Sequence, residues 1–185
     1  PVAACKSAGE VFVKIRRGGL MFALGLACMI ATPCSASLPT FDINGPAGSA
    51  TFGRAVYVLR NGNIVVSDPN YSSASASAIG AVHLYGPTGA RIASLTGSTP
   101  NDRIGENGVL VLEDGNFVVL SAAWNDRRGA ATWVSGTAGL QGVVSAANSL
   151  VGNVPEDYVG LNGYALKAGA YVVGSPLWDA GATVD

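Results

Sequence analysis

The chain of 185 residues contains one histidine, His83, and three cysteines, Cys5, Cys28 and Cys34. A lone imidazole excludes a histidine pair, a histidine-based metal cluster and a nucleophile–histidine–carboxylate set of known pattern within one chain. His83 sits in a strand-like apolar run, 81–85, and reads as an ordinary strand residue. Neither a Gly-x-Ser-x-Gly elbow nor a phosphate-cradling glycine loop ahead of a helix is present. A carboxylate pair for glycoside hydrolysis could be drawn from the loop acids Asp102, Glu106, Asp126 and Asp157, but spacing alone does not bring two of them to hydrolytic distance. The expected chain is therefore not an enzyme, with no catalytic residue, no cofactor and no metal.

The aromatics carry more information. Tyr71, Trp124 and Trp178 fall at corresponding places, in Asp68-Pro69-Asn70-Tyr71, Ala122-Ala123-Trp124-Asn125 and Pro176-Leu177-Trp178-Asp179. Large rings recurring in a repeat serve first as packing between units. The sharper alternative makes these three the candidate ligand-contact residues, for a glycan or a protein. Trp133 is expected in the core of a third strand.

Those correspondences exist because the chain repeats. Residues 112–133, LEDGNFVVLSAAWNDRRGAATW, recur upstream at 59–84 and begin again at 166. Gly62, Gly115 and Gly169 are spaced by 53 and 54 residues, and 95–105 aligns without gaps on 150–160 at an offset of 55. Across that last pair Leu, Gly, Pro, Asp and Gly are identical, so Asp102 and Asp157 stand in register, where an Asx-turn or loop-capping role is expected. Self-similarity at such a period signals stacked supersecondary units.

Each unit reads as four short strands: 55–59, 63–67, 81–85 and 91–95 in the first, and 109–112, 116–120, 130–134 and 143–146 in the second. Asn61-Gly62 and Asp114-Gly115 supply positive-φ turn residues between the first two strands, and Ala168-Gly169 replaces them in the third copy. The second strands (Ile64-Val65-Val66, Phe117-Val118-Val119-Leu120, Tyr171-Val172-Val173) are continuous apolar runs, the pattern of a strand covered on both faces.

The N-terminal region has a different character. Lys14, Arg16 and Arg17 precede the apolar run 20–31, LMFALGLACMIA, and small residues follow it. This three-part pattern predicts a secretory signal peptide, cut near Ala36 or Ser37. The run is too short for a stable membrane span, which takes about 20 apolar residues. Removing the leader takes all three cysteines, together with Lys6, Lys14, Arg16, Arg17 and Glu10. Seven basic and eleven acidic residues then remain, a net charge of −4, and stability must come from the sheets without disulfides. That balance argues against a nucleic-acid partner, which calls for a basic patch.

The residues also carry a resemblance. Thr51-Phe52-Gly53-Arg54-Ala55-Val56, followed by 61–69 and by Gly80-Ala81-Val82-His83-Leu84-Tyr85, resembles the FG-GAP pattern of integrin-alpha-like β-propellers. The second and third copies resemble repeats of large bacterial surface, haemagglutinin-like proteins. The resemblance covers about residues 52–185 and implies an all-β chain of tandem four-stranded antiparallel blades, a partial β-propeller of about two and a half repeats, after an N-terminal signal helix. Integrin-type blades often carry an acidic calcium loop. The turns here, Arg60-Asn61-Gly62, Glu113-Asp114-Gly115 and Lys167-Ala168-Gly169, lack its run of carboxylates, so no calcium is expected at them.

The expected organisation is a leader at 1–37, a lead-in at 38–51, repeats at 52–108 and 109–163, and a shortened third repeat at 164–185. The expected role is binding, adhesion or scaffolding, secreted or at the cell surface. Expected partners are an extracellular protein or glycan, and further repeats of the same chain or self-association. A propeller-borne polysaccharide-active enzyme and an open β-solenoid are the alternatives. Closed propellers take four or more blades, so two and a half imply either a shortened product or a part of an assembly with bare apolar faces.

Overall fold

The computed structural model describes residues 13–16 and 41–178. The expected signal helix at 20–31, the cleavage region at Ala36 and Ser37, and the three cysteines lie outside the described residues. The chain divides into two units, residues 1–44 and 45–185. In the first, strand β1 (Val13–Arg16) pairs in parallel with β2 (Phe41–Asn44). No helix among the described residues is long and apolar enough to cross a membrane.

The second unit holds the repeats. Strands β3 (Ala55–Val58), β4 (Ile64–Asp68), β5 (Ala81–Tyr85) and β6 (Arg91–Thr96) form an antiparallel meander. Strands β7 (Val109–Val111), β8 (Phe117–Ser121) and β9 (Ala130–Val134) repeat its first three strands. The third copy supplies a hairpin, β12 (Asn162–Ala165) with β13 (Tyr171–Gly174).

The turns follow from glycine. Gly62 and Gly115 take φ of +83° and +87°, which only glycine adopts without strain. Their partners Asn61 and Asp114 stay at negative φ, against the expectation that both turn residues would be positive. Instead each side chain accepts the amide two residues on, at 3.0 Å, and closes the turn from outside. In the third copy Ala168 and Gly169 are both at positive φ.

Every residue of β4, β5 and β8 is buried, as continuous apolar strands require. Because side chains alternate, each strand serves two interfaces at once. Val65, Val82 and Leu84 of the first sheet pack on Phe117, Val119 and Val134 of the second in one cluster. Only a cavity of about 10 Å³ is left between them. On the other face of the second sheet, Val118, Leu120 and Ala131 pack with Tyr171 and Val173 of the third-copy hairpin. The outer face of the first sheet is roofed by aromatics. Phe52 lies 5.9 Å from the His83 ring and 6.2 Å from Tyr85, and Tyr71 stands edge-on to His83 at 6.1 Å.

Two further sequence expectations are corrected. The fourth strand of the second repeat is not 143–146. Strand β10 (Gly142–Val143) leaves its own repeat and adds in parallel to β6, while β11 (Leu150–Val151) takes the fourth place beside β9. The exchange gives the β6 edge a partner and ties the two sheets covalently, an economical way to blunt an exposed strand edge. Trp133 is not core; it is 45% exposed. It points to the face covered by the third copy, but that hairpin lies over β7 and β8 and leaves the Trp133 end of β9 uncovered.

Gly129 (φ +77°) passes so close to Val159 that a Cβ would collide with that residue's backbone N and O, whereas at Gly115 nothing lies within 4 Å. Gly115→Ala is expected to cost about 1 kcal/mol through φ alone. Gly129→Ala is expected to cost at least about 2 kcal/mol more, because the loop at Val159 must part from the start of β9 within its own repeat. Urea denaturation of both variants checks the difference.

Candidate functional site

The site grows from two buried carboxylates. Asp102 and Asp157 are fully buried at the ends of equivalent loops. Asp102 Oδ2 accepts the amides of Ser98 and Thr99 at 2.9 and 2.8 Å, and Asp157 Oδ2 accepts those of Asn153 and Val154 at 2.6 and 3.0 Å. The in-register pair is thus a loop cap in both repeats, as the sequence predicts. Asp102 Oδ1 also accepts the Asn125 amide of the next repeat, at 2.9 Å. Gly97 and Gly152 are required beside these loops: a Cβ at either would sit 2.7 Å from the capping aspartate's own Cβ.

The latched loops have an unusual backbone. Asn101, Arg103, Glu156 and Tyr158 adopt positive φ at matching positions of the two repeats, and Asn125, Asp126 and Arg127 form a consecutive positive-φ run. This run turns as a tight coil and not as a regular helix, although it makes one helix-like turn at 124–127. Each such residue costs of order 1 kcal/mol, and it persists because the surroundings hold it. The amides of Arg103 and Tyr158 donate to Ala78 O and Arg127 O, at 3.2 and 2.9 Å.

Between these loops lies a groove of about 580 Å³, lined among others by Asn101, Arg103, Glu106, Asn107, Asp126 and Tyr158. A smaller recess of about 240 Å³, lined by Thr51, Arg54, Pro69, Asn70, Arg103 and Glu106, is its counterpart one repeat earlier. Arg103 and Glu106 form the wall between the two and pair at 3.0 Å across exposed surface; Arg127 pairs with Glu156 in the same way. Asn107 is anchored at both ends, its Oδ1 accepting the Ala122 amide and its Nδ2 donating to Leu161 O. The charge is balanced and the lining polar, so the groove suits a hydroxyl-rich or peptide-like ligand more than a strongly ionic one. Among the described residues no group of three His, Cys, Asp or Glu side chains could hold a metal ion.

The aromatic trio is not brought together. Tyr71 is half-buried in the roof over His83, Trp124 is buried in the core between the first two sheets, and Trp178 is exposed. Of the four loop acids, Asp102 and Asp157 are committed to backbone amides, while Glu106 and Asp126 line the larger groove. Sequence reading singled out the acids but not Arg103, Asn107 or Tyr158. The signal available was the ungapped match of 95–105 on 150–160, which marks the loop but not what faces out of it.

His83 is nearly inaccessible; its Nδ1 lies 2.8 Å from Ser94 Oγ, and Nε2 has no hydrogen-bond partner. Burial first, and then the Arg91 charge, push its pKa down to about 4 against a smaller opposing pull from Asp68. The imidazole is therefore neutral and structural.

Stacked antiparallel sheets, repeated turns and repeated carboxylate-capped loops define a tandem β-repeat protein. The chain belongs to the family described as "Repeat of unknown function (DUF5650)", whose model matches residues 58–106, 111–161 and 165–185. Comparison with curated proteins finds no match. The three matched segments bracket the turn glycines Gly62, Gly115 and Gly169.

Because the folded pKa of His83 lies below the ordinary value near 6.5, only the unfolded chain takes up the proton between those two pH values. Stability is therefore whole above about pH 6.5 and falls as the pH drops toward 4, by about 3 kcal/mol from this group. The single histidine ring signal in NMR is expected to titrate near pH 4, and His83→Gln is expected to flatten that part of the stability profile.

Proposed function

We propose that this chain is a secreted or cell-surface binding repeat of β-propeller type, FG-GAP-like in its blades, with an adhesive or scaffolding role and no catalysis. The reading rests foremost on the groove. Five of its lining residues, Asn101, Arg103, Asp126, Arg127 and Tyr158, are held at positive φ. A surface whose backbone is fixed in this way is organised before a ligand arrives, which lowers the ordering cost of binding. Repetition supports the same reading: the recess beside Arg54 lies one repeat earlier and shares Arg103 and Glu106 with the groove, so a chain-like ligand would meet two polar recesses in succession. The leader pattern at 14–36 and the absence of a basic excess in the sequence favour an extracellular partner.

The lining of amide, hydroxyl and paired charged groups favours a glycan over an apolar peptide. Glu106 and Asp126 on one groove give the polysaccharide-active alternative its single specific support. In the favoured reading, Arg103→Ala, which opens the wall between the two recesses, weakens glycan retention at least tenfold without lowering the melting temperature by more than a few degrees. A glycan array followed by calorimetry on the full chain checks this. Retention of no glycan, or equal retention by Arg103→Ala, would contradict it. Turnover of a retained polysaccharide that is lost in Glu106→Gln would favour the enzyme.

A further inference from the structure

The recess beside Arg54 and the larger groove occupy corresponding places in successive repeats. Arg54, Pro69 and Asn70 of the recess stand 53 residues before Asn107, Ala122 and Ala123 of the groove, the offset that relates Gly62 to Gly115. Arg103 and Glu106 stand 55 residues before Tyr158 and Leu161, the offset of the latched loops. The backbone agrees: the Glu106 amide donates to Arg103 O and the Leu161 amide to Tyr158 O, both at 3.0 Å. Position is kept, but chemistry is not.

Charge separates the two. The groove sets Arg103 and Arg127 against Glu106 and Asp126. The recess sets Arg54 and Arg103 against Glu106 alone, and that carboxylate is already paired with Arg103. Arg54 is exposed, and among the described residues its guanidinium makes neither an ion pair nor a hydrogen bond. The exposed Asn70 beside it has a carboxamide free in the same sense. Both stand on fixed backbone, since the Arg54 amide donates to Thr51 O at 2.9 Å and the Asn70 amide to Thr51 Oγ1 at 3.1 Å.

We propose that this recess is an anion-binding subsite, which seats the carboxylate or sulfate of an acidic sugar residue while the groove takes a neutral neighbour. The proposal rests on the glycan-binding reading above and narrows it to acidic polysaccharides. At about 240 Å³ the recess is smaller than the roughly 300–1,000 Å³ of sites that enclose a whole small ligand, as suits one residue of a chain. A guanidinium with its whole fork of donors free matches the oxygens of an anion in geometry as well as charge, and holds them more strongly than a neutral hydroxyl.

Calorimetry of the full chain with paired glycans tests this. One pair is hexagalacturonate and its methyl ester, the other dextran sulfate and dextran. In at least one pair the acidic member is expected to bind at least about tenfold more tightly, the weight of one charge-assisted contact. Added salt is expected to shrink that margin, and the pair that shows it tells carboxylate from sulfate. Arg54→Gln is expected to abolish the margin while the neutral member binds as before. Arg60→Gln, which removes the same charge at the exposed turn after β3, is expected to keep it. In the unaltered chain the Arg54 Nε–H signal in NMR is expected to shift on adding the acidic glycan, a readout that needs no variant. Equal affinity within both pairs, a margin that survives Arg54→Gln, or an indifferent Arg54 signal would overturn the anion subsite and leave the glycan reading standing. Retention of none of the four glycans would overturn both.

Discussion

Two buried carboxylates, Asp102 and Asp157, carry the constraint on which the rest of the repeat unit depends. A carboxylate taken out of water is tolerable only when hydrogen bonds replace its hydration. Here backbone amides do so, and in return the carboxylate fixes the loop that supplies them. At Asp102 a third amide, from Asn125, belongs to the next repeat, so one side chain sets both the shape of its loop and the position of the neighbouring sheet. Removing it would leave three inward-facing donors without a partner, each at a cost of about 1–3 kcal/mol. Gly97 and Gly152 are glycines for the same reason, since the aspartate occupies the space a side chain would need.

With the loops latched, the sheets can do what a solitary four-stranded sheet cannot. β8 turns one set of side chains to the first repeat and the alternate set to the third-copy hairpin, while β4 turns one set to the second repeat and the other to the aromatic roof, so both are buried along their whole length. Secondary ties keep the register. Asn61 and Asn63 both donate to Gly136 O, the Val109 amide reaches Tyr57 Oη, and Glu113 accepts the Ala168 amide. The two ends differ in chemistry: aromatic rings roof the first sheet, and apolar side chains stand open on the third-copy hairpin. The polar groove sits away from both, among the loops, where backbone strain is held by the latches.

Much of this architecture could be read from the residues. Apolar runs placed β4, β5, β8 and β9 within a residue of their true bounds, because a strand buried on both faces is apolar along its length and stands out from its polar turns. Turn glycines were legible because φ near +85° tolerates little else. What escaped was decided between elements. The sequence at 143–146 is strand-like, but which edge it joins depends on β6 lacking a partner. Trp133 has a core residue's composition, yet its burial depends on how far the third copy extends over it. The groove was least legible of all. Non-glycine residues such as Arg103, Asp126 and Tyr158 carry no compositional mark of positive φ, and only the folded loops show that they face one space.

Amide hydrogen exchange at Ser98, Thr99 and Asn125 tests the carboxylate latch most directly. These three amides lie in loops, where exchange is ordinarily fast. If Asp102 holds the repeats together, all three exchange as slowly as the amides of β8 in the native protein, and Asp102→Ala releases the three together. Fast exchange at these sites in the unaltered chain, or release of Ser98 and Thr99 without Asn125 in the variant, would contradict it.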